Sequence, residues 1–214
     1  MSELVLYLGN KNLSSWSLRA WLAVVRSGLP FREEVILLDR PDTLQRIRSV
    51  SPSGRVPVLR RGELTVFESL AIGEYVAELV PEARLWPADP HARAVARSVS
   101  CEMHSGFATM RRELPMDLVA RKPMRDMAPG ARADIDRVLT LWRECRYRYG
   151  DAGQFLFGHF TLADAMFAPV ATRFVTYDVP LDPVARAYVD AIYALPEMQR
   201  WIADAEREVA AGAG

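Results

Sequence analysis

Hydrophobic and polar positions follow two regimes along the chain. Through about residue 80, short apolar runs alternate with stretches whose apolar residues recur every three or four positions. Leu4 to Leu8 (LVLYL) is wholly apolar and reads as a strand buried on both faces. From Ser15, the residues Trp16, Leu18, Trp21, Leu22 and Val25 recur at helical spacing, with Arg19 and Arg26 left to face away. Ser27 and Gly28 supply a stop and Pro30 prevents continuation. Phe31 to Leu38 reads as a second strand, its early charges Arg32, Glu33 and Glu34 pointing to a sheet edge. A short helix over residues 43 to 49 precedes a run of turn formers, Ser51-Pro52-Ser53-Gly54. Arg55 to Arg60 and Glu63 to Phe67 then form an antiparallel hairpin about Arg61 and Gly62, and Glu68-Ser69 opens a helix through Ile72, Tyr75, Val76 and Leu79.

Residues 81 to 90, with prolines and no period, read as a linker between a first domain (1 to 80) and a second (91 to 214). Beyond the linker the pattern is helical throughout. Ala92, Val95, Ala96, Val99, Met103, Phe107, Met110 and Leu114 predict one long amphipathic helix, and Ile135, Val138, Leu139, Trp142, Cys145 and Tyr149 its antiparallel partner. An irregular segment holding Pro115, Pro123, Pro129 and Gly130 joins them. Thr161 and Asp164 have the spacing of a capping box, a folding signal, at the head of a helix that contains Pro169. Asp182-Pro183 and Leu195-Pro196 open two more helices. The fold class is therefore an α/β domain followed by an all-α bundle.

Charge and cysteine content narrow the function without naming it. The 27 basic and 27 acidic side chains of the 214-residue chain cancel, so no net field recruits nucleic acid or an anionic membrane. Cys101 and Cys145, far apart and both in helix-like apolar patterns, read as buried free thiols of a reducing compartment. With no membrane-length apolar run and no signal-peptide pattern at the start, the expectation is a soluble cytoplasmic protein. His91, His104 and His159 show no clustering that would ligate a metal.

Chemistry concentrates where the first strand meets the first helix. Asn12, Leu13, Ser14 and Ser15 occupy a junction whose free N–H groups and helix dipole favour an anion. A serine hydroxyl there either caps the helix, worth about 1 kcal/mol, or donates to developing negative charge on a ligand. Pro57, between two valines, removes a ladder donor. It suits a cis peptide beside a site, where Val56 offers its backbone to an extended peptide, or a plain edge position.

Ser14-Ser15-Trp16-Ser17, Val56-Pro57-Val58-Leu59 and Glu68-Ser69, in that order, resemble the thioredoxin-fold domain of the cytosolic glutathione transferases, in their serine-type, zeta-like variety. The Gly158 to Asp164 segment resembles the capping box of their carboxyl-terminal domains. The resemblance implies a cytosolic homodimer with glutathione as cosubstrate and no metal. It makes Ser14 the hydroxyl that donates to the glutathione sulfur, with Ser15 beside it. Val56, preceding a cis Pro57, pairs with the cysteinyl backbone, and Glu68 and Ser69 hold the γ-glutamyl end. It also implies a second-substrate pocket between Ser14 and the helical domain, with Met103, Phe107 and Met110 as candidate walls and Arg111 as an anion-holding group. Arg112, Arg121, Lys122 and Arg125 read as a solvated surface or a basic loop that would suit an acidic substrate.

A free thiol of pKa about 8.5 is only a few per cent thiolate at pH 7. Lowering it by about two units takes roughly 2.7 kcal/mol, the size of one charge-assisted hydrogen bond of about 1.5 to 3 kcal/mol. A serine therefore suffices without a base. The expected function is conjugation of glutathione thiolate to a small electrophilic, largely apolar substrate. The alternatives are a maleylacetoacetate-like isomerase, against which counts Trp16 standing where zeta-like members carry cysteine, and a non-catalytic glutathione- or ligand-binding scaffold. The absence of a C-x-x-C argues against thiol-disulfide exchange.

Overall fold

The computed structural model describes residues 3–124, 126–151 and 153–213. Its amino-terminal half runs β1 (Leu4–Leu8), α1 (Ser15–Ser27), β2 (Phe31–Val35), α2 (Thr43–Val50), β3 (Val58–Arg61), β4 (Leu64–Phe67) and α3 (Ser69–Leu79). The four strands make one mixed sheet in the order β2-β1-β3-β4. β1 pairs parallel to β2 with Leu4 opposite Phe31, and antiparallel to β3 with Leu6 opposite Leu59. The β3–β4 hairpin sets Leu59 against Val66, with Gly62 at φ 60 in its turn. β2 lies at an edge, as its charges require, but stops at Val35, three residues short of the expected end. The third strand begins at Val58, so Pro57 stands just ahead of the ladder and removes no donor from it. The Val56–Pro57 peptide is cis.

A 3-10 turn at Pro81–Ala83 leads, among the described residues, into the helices α4 (Pro90–Ser105), α5 (Ala108–Glu113), α6 (Pro129–Tyr149), α7 (Leu162–Thr176), α8 (Pro183–Ala194) and α9 (Pro196–Ala210). The single long helix expected over residues 92 to 114 is thus two. A Cβ on Gly106 would lie 2.7 Å from the Glu102 carbonyl oxygen, and Phe107 adopts φ 60, which no helix continues through. Apolar spacing carries straight across the break, so periodicity could not reveal it. Pro129, expected in the loop, is instead the first-turn proline of α6.

α7 is the buried axis of the molecule. Thr161 and Asp164 form the capping box: Asp164 Oδ2 accepts from Thr161 N–H at 2.7 Å and from its hydroxyl at 2.9 Å. Oδ1 accepts from Leu156 N–H and from the Tyr188 hydroxyl, both at 3.1 Å. Despite these four donors, burial pushes the Asp164 carboxyl up to about 6. α7 packs on α1 and α4, and Gly73 of α3 leaves room for Leu162, whose Cδ atoms would lie 3.1 Å from a Cβ there. The buried apolar residues form one continuous cluster from Leu4 to Ala205, spanning both halves. Of the two cysteines only Cys145 is buried, its thiol pushed up to about 12; Cys101 is exposed on α4, contrary to its apolar-pattern reading. No helix is long and apolar enough to cross a membrane among the described residues.

Candidate active site

The junction between β1 and α1 is held from three sides. Asn10 accepts the Ser14 N–H on its carbonyl at 2.8 Å and the Leu38 N–H on its side chain at 2.6 Å, so the turn is braced by the chain leaving β2. Asn12 bonds the segment after α5 through Asp117 Oδ1 (3.0 Å), Val119 N (3.0 Å) and Leu118 N (3.2 Å). Lys11 takes the third side. Its backbone N–H donates to Glu208 Oε2 at 2.6 Å and its carbonyl accepts from Trp201 Nε1 at 2.8 Å, binding the turn to α9. Its ammonium, on a side chain 6% exposed, pairs with Glu33 at 2.7 Å and Asp204 at 2.5 Å.

At the end of this braced turn Ser14 performs the capping job. Its Oγ accepts the Ser17 N–H at 3.4 Å and donates to Ser17 Oγ at 2.7 Å. Ser15 is also buried, and its hydroxyl has no hydrogen-bond partner among the described residues. Trp16 is the residue of this segment that reaches the cleft.

That cleft, about 390 Å³, is lined by Trp16, Ser53, Arg55, Val56, Pro57, Glu68, His104 and Ser105. Three of the residues expected to bind glutathione, Val56, Pro57 and Glu68, therefore line one cleft. The loop that delivers Val56 is tied by Ser51, whose Oγ donates to the Arg55 carbonyl at 2.7 Å and accepts the Arg55 N–H at 3.2 Å. Gly54, at φ 66, makes the turn between them. Glu68 has φ 72, a conformation that strains a side-chain-bearing residue and is found where surrounding structure imposes it. Ser69 follows at the first position of α3, 2% exposed, with its Oγ unpartnered.

The helical half contributes His104 and Ser105 from the end of α4, which apolar patterning gave no reason to select. His104 Nε2 lies 3.5 Å from Glu68 Oε2, and burial, partly opposed by Glu68, lowers the imidazole below its usual value. The expected wall residues Met103, Phe107 and Met110 do not line this cleft. They lie in the apolar core instead, where Met103 on α4 and Met110 on α5, past the break at Gly106–Phe107, are fully buried. Arg111 is half-buried, its Nη2 donating to the carbonyls of Met103 and His104.

Arg19 is the largest departure from the sequence reading. Expected on the solvent face of α1, it is 1% exposed and stacks on Trp16, its guanidinium carbon 4.6 Å from the ring centroid. Arg111 stacks on the same indole at 5.0 Å, and His104 meets it edge-on at 5.1 Å. The lone signal in the sequence was spacing: Arg19 is three residues after Trp16 and four after Ser15, hence on their side of the helix. On the basic segment after α5, Lys122 pairs with Asp117 at 2.6 Å and Arg121 bonds nearby carbonyls; Arg125 lies outside the described residues. No group of three or more His, Cys, Asp or Glu side chains able to hold a metal occurs among the described residues.

A sheet ordered β2-β1-β3-β4, a helical bundle docked on it and a cleft at the helix start, beside a cis proline, define the architecture of a glutathione transferase. Residues 13–79 match the family model "Glutathione S-transferase, N-terminal domain", and residues 102–204 match "Glutathione S-transferase, C-terminal domain". A glutathione S-transferase of Pseudomonas putida is 30% identical over 210 residues, covering 89% of this chain and 88% of that one. The chain belongs to the glutathione S-transferase family. A maleylacetoacetate isomerase of Rattus norvegicus is 27% identical over 183 residues, 84% of this chain and 82% of its own. A solved glutathione transferase homolog from Burkholderia GL BGR1, with bound glutathione, superposes with TM-score 0.72 at 25% identity, covering 96% of this chain and 98% of that chain.

Proposed function

We propose that this protein conjugates glutathione to a small electrophilic, largely apolar compound, with residues 1 to 80 binding glutathione and residues 91 to 214 the second substrate. The observation that carries the reading is the meeting of Val56, Pro57 and Glu68 with Trp16 in one cleft, in a chain similar over nearly its whole length to a homolog with bound glutathione. The Val56 backbone lies outside the β-ladder and is free to pair with the cysteinyl part. The Glu68 carboxylate faces the γ-glutamyl ammonium, while the orphan Ser69 hydroxyl and the start of α3 take its carboxylate.

The sulfur then lies against the start of α1. Ser14 donates to the thiolate by turning its hydroxyl hydrogen away from Ser17, or Ser15, already free of a partner, does so in its place. The thiolate attacks the electrophilic carbon. A sulfur–carbon bond forms as the leaving group departs with its electron pair, or, at an activated double bond, as the adjacent carbon takes a proton from water. The working form is a cytoplasmic homodimer.

Calorimetric titration with glutathione tests the reading. Micromolar to millimolar affinity weakened by Glu68→Ala supports it, and no detectable heat overturns it in favour of the scaffold alternative. Turnover lost in Ser14→Ala but not in Ser15→Ala assigns the hydroxyl to Ser14, and the reverse assigns it to Ser15. The rat relative's name favours a second reading, glutathione-dependent isomerisation, in which the thiolate adds and later leaves; turnover without consumption of glutathione would select it.

A further inference from the structure

The turn that carries Ser14 is completed from the far end of the chain. Asn10, Lys11 and Asn12 are all buried, and a buried N–H must find an acceptor. For Lys11 and Asn12 that acceptor comes from α9: Glu208 Oε2 takes the Lys11 N–H at 2.6 Å and the Asn12 N–H at 3.3 Å. Trp201 Nε1 donates to the Lys11 carbonyl at 2.8 Å, and Asp204 Oδ2 lies 2.5 Å from the Lys11 ammonium. Just past the helix, the Ala213 carbonyl accepts from Asn10 Nδ2, and the Gly212 carbonyl from Arg40 Nη2 at 2.8 Å. Trp201, Asp204 and Glu208 stand three and four residues apart, so one face of α9 makes all the helix's bonds to the turn. Asn10 passes the constraint on, because its carbonyl accepts the Ser14 N–H at 2.8 Å. Docking α9 on the sheet would need only its apolar residues Met198, Trp201 and Ala205; bonds to successive backbone groups of one turn fix the conformation of that turn as well.

We propose that Trp201 and Glu208 are positioning residues for the reaction: by fixing the backbone at Lys11 and Asn12 they set where the Ser14 or Ser15 hydroxyl meets the glutathione sulfur. The inference rests on the conjugation reading and gives α9 a part in it. Neither residue lines the cleft, so both act through the turn. A hydrogen bond weakens steeply when its donor is misaligned, and a misplacement of about 1 Å near reacting atoms can cost on the order of a hundredfold in rate. A freed turn therefore leaves the bound thiol less ionised. Charge alone predicts the opposite sign, since deleting a carboxylate near a thiolate favours the thiolate. The direction of the shift thus separates position from electrostatics.

The test follows the thiolate absorbance of glutathione bound to the full chain through a pH titration, in Glu208→Ala and in Trp201→Phe, which keeps an aromatic ring but loses the donor. The thiol pKa is expected to rise by about one unit in each, roughly a tenfold loss of thiolate at lower pH. S-methylglutathione, which has no thiol to ionise, should bind both variants within about twofold of wild type. Glu208→Gln, which keeps the oxygen that accepts both N–H groups, should hold the wild-type thiol pKa. An unchanged or lowered pKa in either of the first two variants overturns the proposal, as does a Gln variant that behaves like Ala. S-methylglutathione weakened as much as glutathione also overturns it, for the residues would then support the cleft at large. Amide hydrogen exchange needs no glutathione: the Ser14 N–H should exchange at least about tenfold faster in Glu208→Ala, with the amides of α7 unchanged. If wild type binds no glutathione the conjugation reading fails, and the Ser14 exchange rate still decides whether α9 fixes the turn; an unchanged rate overturns that as well.

Discussion

Two buried cations, Lys11 and Arg19, lie within nine positions of each other on either side of the Ser14 turn. Both contact tryptophans: Lys11 is 5.6 and 5.2 Å from the ring centroids of Trp21 and Trp201, and Arg19 is 4.6 Å from that of Trp16. Lys11 has two carboxylates in hydrogen-bond range, one from β2 and one from α9. Arg19 has none. The first is a completed joint that clamps α9 onto the sheet; the second is a buried guanidinium with an indole face beside it and no counter-charge among the described residues. The same element, an interior cation against an indole, is thus closed by ion pairs in one place and left without a counter-charge in the other.

The widest separation between the two should appear in stability. Lys11→Met leaves Glu33 and Asp204 facing one another without their cation; because both carboxylates keep some contact with water, the expected loss is about 3 kcal/mol, toward the low end for a broken buried pair. A lower urea midpoint with unchanged slope checks it. Asp164 supplies a third case, a buried charge met only by neutral donors. Its folded-state pKa of about 6 stands above the ordinary 3.8, so the native state holds the proton more tightly. The resulting stability is fully present below about pH 4 and is lost as pH rises through about 6, roughly 3 kcal/mol in all. Asp164→Asn should flatten that part of a stability–pH profile; an unchanged profile would refute the assignment.

Arg19→Leu should go the other way, leaving stability unchanged or raising it by about 1 kcal/mol, since it removes an uncompensated charge at the cost of one stacking contact. A loss above about 2 kcal/mol in thermal or urea unfolding would make Arg19 a structural strut like Lys11 and collapse the contrast. The smallest effect belongs to Glu208→Gln. Both N–H groups of Lys11 and Asn12 donate to Oε2, so an amide oxygen can still accept from both and only the charge that strengthens the bonds is lost, about 1 kcal/mol. The Lys11 joint should therefore loosen by steps, whereas the fold should lose little when Arg19 is removed.

Legibility from the sequence followed the range of the interaction that decides each feature. Strand β1, the caps at Ser14 and Thr161 and the proline-led starts of α8 and α9 depend on neighbours within a turn or two, and composition and spacing carried them. Gly106 was visible as a glycine, but its effect depends on the Glu102 carbonyl one turn back, and apolar spacing on both sides hid the break. That Val56, Pro57 and Glu68 mark a cleft was legible because each sits at a strand or helix boundary with its own local signature. The helical half of the cleft was not, because His104 and Ser105 end a helix whose direction the Gly106 break sets. Arg19 was misread for a similar reason: helical spacing says which residues share its face, not what covers that face.

By itself, the sequence determined the α/β half and the all-helical half, the turn that caps α1, the cis-proline loop and the membership that those motifs imply. These rest on backbone preference and capping, which act over a few residues. Tertiary structure alone decided that Met103 and Met110 are core, that His104 faces Glu68, and that one interior cation is paired and the other is not. Each of these follows from which surfaces are excluded from water and which charges meet there. Packing segments up to about two hundred residues apart sets both, as Lys11 and Asp204 show.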